Sequence, residues 1–386
     1  MAEVFFSSMW GYLSVSVPTG TRESQAGNGA GRAQGSSLRD VTSPYDLSRE
    51  DFAAHLEGVP NYRVNQILEG LWQQDRRFSE MTSLPLALRT QLEEDFPLAL
   101  TMTSEVATDA GETMKWLFTL ADGATIETVL MAYQDRVTVC VSTQAGCAMN
   151  CSFCATGQAG FTRHLTAGEV LEQVAFAART AAPRRLSNVV FMGMGEPLAN
   201  YDVTTTVVKR LHAERGMSAR HLTVSTVGIA PAIERLAGEG LPLTLAVSLH
   251  VANDAQRDKL VPINRRYNLD RLAIACHEWV GTTNRRLSFE WALIDGLNDT
   301  PEAAKELLDY ARPLQAHINL IPLNPTPGYP VVGSSMSKVR LFADMIEAGG
   351  LTVTTRATRG RSIAAACGQL AEVTRGKRAR IPVSSE

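Results

Sequence analysis

The first ordered pattern along the chain is helical. Between Asp46 and Leu100, apolar residues recur three and four apart in Asp51-Phe52 to Leu56, in Asn65 to Trp72 and in Pro85 to Leu92, the period of helices that bury one face. The period then changes to two. Trp116, Phe118 and Leu120 alternate with polar neighbours, Asp122-Gly123 follows, and Ile126 and Val129 resume the alternation, which predicts a β-hairpin over Lys115 to Met131 closed by an Asp-Gly turn. Beyond it, short β-rich runs and helical stretches take turns. Val137 to Val141, Asn188 to Met192, Leu222 to Ser225, Leu243 to Leu249, Ser288 to Ile294, Ile318 to Leu323 and Leu351 to Thr355 read as strands. A capping box at Thr166-Ala167-Gly168-Glu169, Pro301-Glu302, and Ser335 to Val339 open helices between them. This alternation predicts an α/β fold of parallel strands with crossover helices, six or so units forming a partial or complete (β/α) barrel behind a small helical domain and a connecting hairpin.

Residues 19–43 are rich in Gly, Ser, Arg and Gln and carry almost no large apolar side chain, so they cannot bury enough surface to order themselves. The expected organisation is a disordered extension over 1–44, a small helical domain over 45–105, a hairpin linker over 106–132, a core barrel over 133–362 and a C-terminal segment over 363–386. With 45% hydrophobic residues among 386, the chain has enough material for a sizeable core. The net charge of -3 gives no whole-molecule basic field, so any nucleic-acid contact must come from local Lys/Arg clusters. No run of eighteen apolar residues appears, as a membrane-spanning helix would need. A cytoplasmic protein that does not enter the membrane is expected.

Four of the six cysteines fall within fifteen residues, which points to metal or redox chemistry in a reducing compartment. Cys147, Cys151 and Cys154 form Cys-x3-Cys-x2-Cys on a loop after the first main strand. Three thiolates suit a [4Fe-4S] cluster with one iron left open to a chelating cofactor. They also suit, though less well, zinc bound as Cys3His with His164 as the fourth ligand. Cys276, inside the helical pattern Leu272 to Trp279, reads as a small buried hydrophobe, and Cys140 taken alone reads the same way.

The cysteine motif, with Phe153 before its third cysteine, resembles the signature of the radical S-adenosylmethionine superfamily. Gly193-Met194-Gly195-Glu196-Pro197, after the second main strand, resembles that superfamily's Gly-Gly-Glu-Pro element. The resemblance implies a partial barrel in which Gly195 and Glu196 meet the methionine end of S-adenosylmethionine. Ser225, Ser248-Leu249-His250 and Asn324 fall at the ends of later strands, where such folds gather cofactor contacts. Each alone also reads as a strand-end polar group satisfied by its neighbours.

A wider set of elements resembles the RlmN/Cfr family of radical RNA adenine methyltransferases: Tyr62-Arg63 to Leu71, Cys140 to Cys147, Gly193 to Leu198, Ser225-Thr226, Val261-Pro262-Ile263-Asn264 and Ala365 to Leu370. That resemblance implies two S-adenosylmethionine molecules per turnover, one to methylate Cys367 and one to generate a 5'-deoxyadenosyl radical. It implies a transient Cys140–Cys367 disulfide and Glu127 as proton acceptor, although Glu127 alone would read as an exposed carboxylate on an alternating strand. The implied product is 2-methyladenosine in 23S rRNA at the peptidyl-transferase centre and beside the anticodon in tRNAs. The alternative within the family is Cfr-type methylation at carbon 8. Gly195-Glu196-Pro197 and Thr358-Arg359-Gly360 lean towards the carbon-2 branch. Ala364 departs from the acidic residue usual in the family three positions before the methylated cysteine.

Candidate phosphate contacts are Arg265-Arg266, Arg285-Arg286, Arg356, Arg359, Arg361 and the basic tail from Arg375 to Arg380, each of which also reads as solvated surface charge. The expected partners are 23S rRNA, tRNA and an electron donor such as flavodoxin or ferredoxin, with the enzyme acting as a monomer.

Overall fold

The computed structural model describes residues 43–324, 326, 329, 331–356, 360, 363–365 and 368–370. Arg359, Arg361, Cys367, the basic tail and nearly all of the N-terminal extension lie outside the described residues. Three helices come first, α1 (Arg49–His55), α2 (Tyr62–Trp72) and α3 (Leu86–Asp95), at the places the periodicity predicts. Ser48 and Asp51 cap α1 reciprocally through side chain and backbone. Trp72 is core, as its helical spacing suggests: it is 4% exposed and meets Tyr45 edge-on at 5.4 Å, with the Arg210 guanidinium over its ring. Tyr62, by contrast, is exposed.

The hairpin forms from β2 (Thr113–Thr119) and β3 (Thr125–Ala132). Gly123 turns it with a φ of 83°, and the Asp122 carboxylate accepts from the Ala124 N–H at 3.0 Å. Before it lies a strand that sequence reasoning does not find, β1 (Thr101–Thr108), paired antiparallel with β2. Both faces of β1 are exposed, so its sequence carries no alternation to read. It straddles residues 105 and 106, where the sequence reading divides the helical segment from the hairpin.

Next come β4 (Val137–Cys140), the short pair β5 (Gln144–Gly146) and β6 (Phe161–His164) flanking α4 (Ala155–Ala159), then α5 (Ala167–Ala181), β7 (Asn188–Phe191), α6 (Tyr201–Ala213), β8 (Leu222–Thr226) and α7 (Ala230–Ala237). They are followed by β9 (Thr244–Ser248), α8 (Asp254–Leu260), α9 (Leu269–Thr283), β10 (Ser288–Leu293), α10 (Pro301–Ala311), β11 (His317–Pro322), α11 (Met336–Ala348) and β12 (Val353–Thr355). The main sheet runs β1-β2-β3-β4-β7-β8-β9-β10-β11-β12, antiparallel as far as β4 and parallel from there on. Strand order never doubles back. Right-handed crossovers therefore send α5, α6, α7, α9, α10 and α11 to one face and leave the other open, the arrangement of a partial (β/α) barrel with an antiparallel wing.

The wing and the barrel share one core. Trp116 and Phe118 of β2 each meet Phe176 of α5 edge-on at 5.0 Å. Cys276 is fully buried in α9, the small hydrophobe its position suggests. Among the described residues, no helix is long and apolar enough to cross a membrane.

Glu172 of α5 anchors the entry to the wing. Its two carboxylate oxygens accept the Ala99 and Leu100 N–H groups at 3.1 and 2.9 Å. Burial outweighs these donors and pushes the carboxyl up to about 8. A folded-state value raised above the unfolded one means that the contribution to stability is full below about pH 4.5 and is lost as pH rises through 8. A tenfold change in a protonation equilibrium corresponds to about 1.4 kcal/mol. Glu172→Gln should therefore remove a loss of stability on the order of 1–3 kcal/mol between pH 5 and 8. Chemical denaturation across that range checks it, and an unchanged slope would refute the assignment.

Candidate active site

Strand β4 leaves the sheet at its C-terminal end, so the backbone groups beyond it need new partners. The Gln173 carboxamide takes both groups of Ser142, accepting its N–H at 2.8 Å and donating to its carbonyl at 3.0 Å. The Ser142 hydroxyl donates to the Glu127 carbonyl at 2.6 Å and accepts the Met194 N–H at 2.9 Å. The chain then closes a loop at its base. Cys147 N–H donates to the Gly160 carbonyl at 2.7 Å, and a Cβ on Gly146, whose φ is 76°, would lie 2.1 Å from that oxygen. The three motif cysteines sit on the loop so enclosed.

Cys147, Cys151 and Cys154 line a cavity at the C-terminal ends of the parallel strands, with about 1070 Å³ of space open to solvent. Gly195, Glu196, Ser225, Ser248, His250 and Asn324 line it too, as their strand-end positions suggest. Leu249 does not; its side chain is fully buried in the core. Glu290, Ala292 and Arg356 also belong to this wall, where sequence reasoning does not place them; Arg356 reads from the sequence as a phosphate contact. Glu290 points inward from β10 and is held by Asn319 at 2.7 Å.

Gly195 has a φ of 101°, and a Cβ there would overlap the Gln144 side chain. The next N–H, that of Glu196, donates to Gln144 Oε1 at 2.8 Å. Glu196 itself accepts the Leu198 and Val227 N–H groups at 3.0 and 2.9 Å, so its carboxylate joins the ends of β7 and β8. Burial pushes Glu196 up to about 7 and Glu290 upward as well. It pushes His250 down to about 3, and Cys147 up to about 12. His250 Nδ1 accepts the Ala292 N–H at 3.0 Å, which leaves the ring proton on Nε2 and makes this neutral imidazole a donor. Its ring packs edge-on against Phe153 at 4.7 Å, tying the cysteine loop to β9.

A buried cation that sequence reasoning does not single out underlies this wall. Arg257 is fully buried and donates to the Val227, Ser248 and Leu249 carbonyls and to Asn264 Oδ1, at 2.8 to 3.2 Å. Asn264 in turn donates to Asp254 and Asp258. Asn298 plays a similar part at the end of β10, donating to the His250 and Ala292 carbonyls.

His164, the fourth ligand of the zinc alternative, does not line this cavity: it is exposed, with its Nδ1 against the Gln144 amide at 3.1 Å. Three thiols set around a common cavity fit a cubane instead, which takes each cysteine on a different iron.

Cys140 and Glu127 do not line the cavity; they lie on β4 and β3, where the wing joins the parallel strands. Both are buried; Cys140 faces Val129 across the β3–β4 ladder, and Glu127 is two residues from Val129, on the same face. Glu127 is thus not the exposed carboxylate its strand pattern suggests when read alone, and Lys115 Nζ stands 2.9 Å from it. Cys367 lies outside the described residues, but Gly368 and Leu370 line the cavity, and Ala155, just after Cys154, donates to the Gly368 carbonyl at 2.8 Å. Arg285 and Arg286 precede β10 and so lie at the opposite end of the strands from the cavity, whereas Arg265 and Arg266 are exposed between α8 and α9, in the connection that leaves the C-terminal end of β9.

Replacing Arg257 with Met would take a charged donor from four acceptors, two of them buried and two part-buried. The expected cost is about 2–4 kcal/mol in unfolding free energy. Urea denaturation measures it, and a loss below about 1 kcal/mol would mean that the guanidinium is not what joins the strand ends.

Comparison with known proteins agrees with this geometry. The Radical SAM superfamily model matches residues 141–311. A probable dual-specificity RNA methyltransferase RlmN from Parafrankia sp. (strain EAN1pec) is 49% identical over 348 residues, covering 84% of this chain and 90% of its own. One of the same description from Mycobacterium marinum is 49% identical over 342 residues, covering 85% and 93%. The crystal structure of a radical SAM methyltransferase from Sphaerobacter thermophilus superposes with a TM-score of 0.82 at 50% identity, over 85% of this chain and 98% of that one.

Proposed function

Because this chain belongs to the RlmN family of radical S-adenosylmethionine RNA methyltransferases, we propose that it methylates carbon 2 of one adenosine in 23S rRNA and of the adenosine beside the anticodon in tRNAs. The observation that carries this reading is the position of Gly368. The residue after Cys367 lines the same cavity as Cys147, Cys151 and Cys154, and the reading requires a methyl group on Cys367 to enter that cavity.

Cys147, Cys151 and Cys154 would hold a [4Fe-4S] cluster. When bound, it supplies the electron that cleaves S-adenosylmethionine to a 5'-deoxyadenosyl radical and takes one electron back after the radical has added to the base. Gly195, Glu196, Ser225, Ser248, His250 and Asn324 would hold the S-adenosylmethionine, while Leu249, whose N–H and carbonyl are engaged by Glu290 and Arg257, would not. The Cys367 thiolate attacks the methyl carbon of a first S-adenosylmethionine, forming a thioether as S-adenosylhomocysteine leaves. A hydrogen atom lost from that methyl leaves a carbon radical, which adds to the adenine carbon. Glu127 removes the proton from that carbon once the electron has left. The Cys140 thiolate then attacks the Cys367 sulfur; the S–S bond forms as the S–CH2 bond breaks, and the electron pair leaves on the methylene carbon, which takes a proton to become the new methyl. A thiol reductant restores both cysteines.

Anaerobic incubation of the cluster-loaded protein with reductant, S-adenosylmethionine and unmodified 23S rRNA or tRNA, followed by nucleoside mass spectrometry, should yield 2-methyladenosine. 8-Methyladenosine would instead assign the Cfr-type reaction. Cys367→Ala should abolish product, a loss of more than about 10³-fold, while leaving the cluster's absorbance intact; retained turnover would refute the thioether route.

A further inference from the structure

One face of the antiparallel wing carries a cation that the reaction above does not use. Trp116 and Phe118 turn towards Phe176 of α5, and Thr128 turns towards Gln173, so their neighbours Lys115, Leu117 and Glu127 face the other way. Across the ladders Lys115 stands opposite Val129, and Val129 opposite Cys140. Residues directly opposite share a face, so Lys115, Glu127 and Cys140 lie on one surface of the sheet.

The C-terminal segment comes down on that surface. Lys115 Nζ donates to the Ala364 carbonyl at 3.2 Å while standing 2.9 Å from Glu127 Oε1, and the two side chains are 13% and 5% exposed. Ala364 is held in the left-handed region, with a φ of 50°, in a turn closed by Ala365 N–H on the Gly360 carbonyl at 2.9 Å. That turn also packs on the strand itself, since a Cβ on Gly360 would come within 3.1 Å of Thr113 Cγ2. Thr113 is two residues from Lys115 and shares its face.

We infer that Lys115 is the positioning residue of product release, a single ammonium that fastens the Glu127 carboxylate to the segment leading into Cys367. The inference rests on the reading of Glu127 as proton acceptor and Cys140 as the attacking thiol. A carboxylate this buried needs a counter-charge to stay ionised, and an ionised carboxylate is what accepting the adenine proton requires. The same ammonium spends a second hydrogen bond on Ala364, three residues before the thiol that carries the RNA in the covalent intermediate. Base and adduct are thereby held in one geometry. Methyl transfer to Cys367 and cleavage of S-adenosylmethionine involve neither Glu127 nor Cys140 and do not depend on this tie.

The experiment is a single-turnover assay of Lys115→Met in the full-length, cluster-loaded protein. Four quantities are followed: methyl-Cys367 by peptide mass, 5'-deoxyadenosine, covalent protein–RNA adduct on a denaturing gel, and released methyladenosine. The expected result is normal formation of the first two, accumulation of adduct, and release slowed about 10–100-fold, with Lys115→Arg restoring most of the rate. Release at the wild-type rate, or an equal fall in all four quantities, would overturn the inference. Should Lys115→Met not fold, Lys115→Gln provides the same test without the charge. Cys140→Ala is the control: absence of adduct there refutes the exchange step itself, and the role of Lys115 with it, whereas adduct with Cys140→Ala and none with Lys115→Met refutes the role of Lys115 alone.

Discussion

The closure of Gln173 on Ser142 is the contact from which the site takes its position. Where β4 ends, the peptide of Ser142 has left the ladder inside a dry core, and an unpaired backbone group there would cost roughly 1–3 kcal/mol. Gln173 meets the N–H and the carbonyl together and also accepts from the Thr128 hydroxyl at 2.8 Å. The Ser142 hydroxyl then fixes two further backbones, at Glu127 and at Met194. The departure of the cysteine loop, the glycine loop after β7 and the strand bearing the proposed base are thus referred to one amide and one hydroxyl. In such a network the members reinforce one another, and loss of one strands several.

Around this junction, burial shifts five titratable groups in the same sense, towards neutrality. It raises Glu196, Glu290, Cys147 and Cys151 and lowers His250. Many of the groups in the wall are engaged with backbone, as Glu196 is with Leu198 and Val227. Arg257 stands apart. Its hydrogen-bond partners are three carbonyls and a carboxamide, with Asp254 and Asp258 reached through Asn264, and its charge lowers the thiol of Cys151 against the effect of burial. A buried cation with neutral first neighbours favours negative charge nearby, which is what metal-binding thiolates bring.

What can be read from sequence follows from how local its cause is. The capping box at Thr166, the Asp-Gly turn, the seven parallel strands and the spacing of Cys147, Cys151 and Cys154 depend on neighbours within a few residues, and each stands where the sequence places it. Residues whose role comes from distant partners leave no such mark. Gln173 and Arg257 are polar side chains on helices, which hydropathy assigns to the surface, and only the folded chain brings Ser142 or Val227 to them. Glu127 misleads in the same way: alternation suggests one wet face for β3, but helix α5 covers one side of that strand and the C-terminal segment the other, so nearly every residue of the strand is buried. Arg285-Arg286 shows the limit of reading charge without topology, because the pair precedes β10 and belongs to the end of the barrel remote from the cysteines.

The sheet divides the work by strand direction. Parallel strands converge their C-terminal ends and so make a cavity, whereas antiparallel strands offer a flat face on which side chains keep fixed spacings across the ladder. Strand β4 belongs to both halves, antiparallel to β3 and parallel to β7. Cys140 lies on that strand, seven residues before the first cysteine of the loop, which is why one short stretch of chain can serve both halves. Glu127 is fixed by two ladders, to β2 and to β4 through its neighbours, and cannot move relative to Cys140 without breaking backbone hydrogen bonds. Any adjustment between the base and the thioether must therefore be made on the side of the C-terminal segment, at its turn on Thr113 and its bond from Lys115.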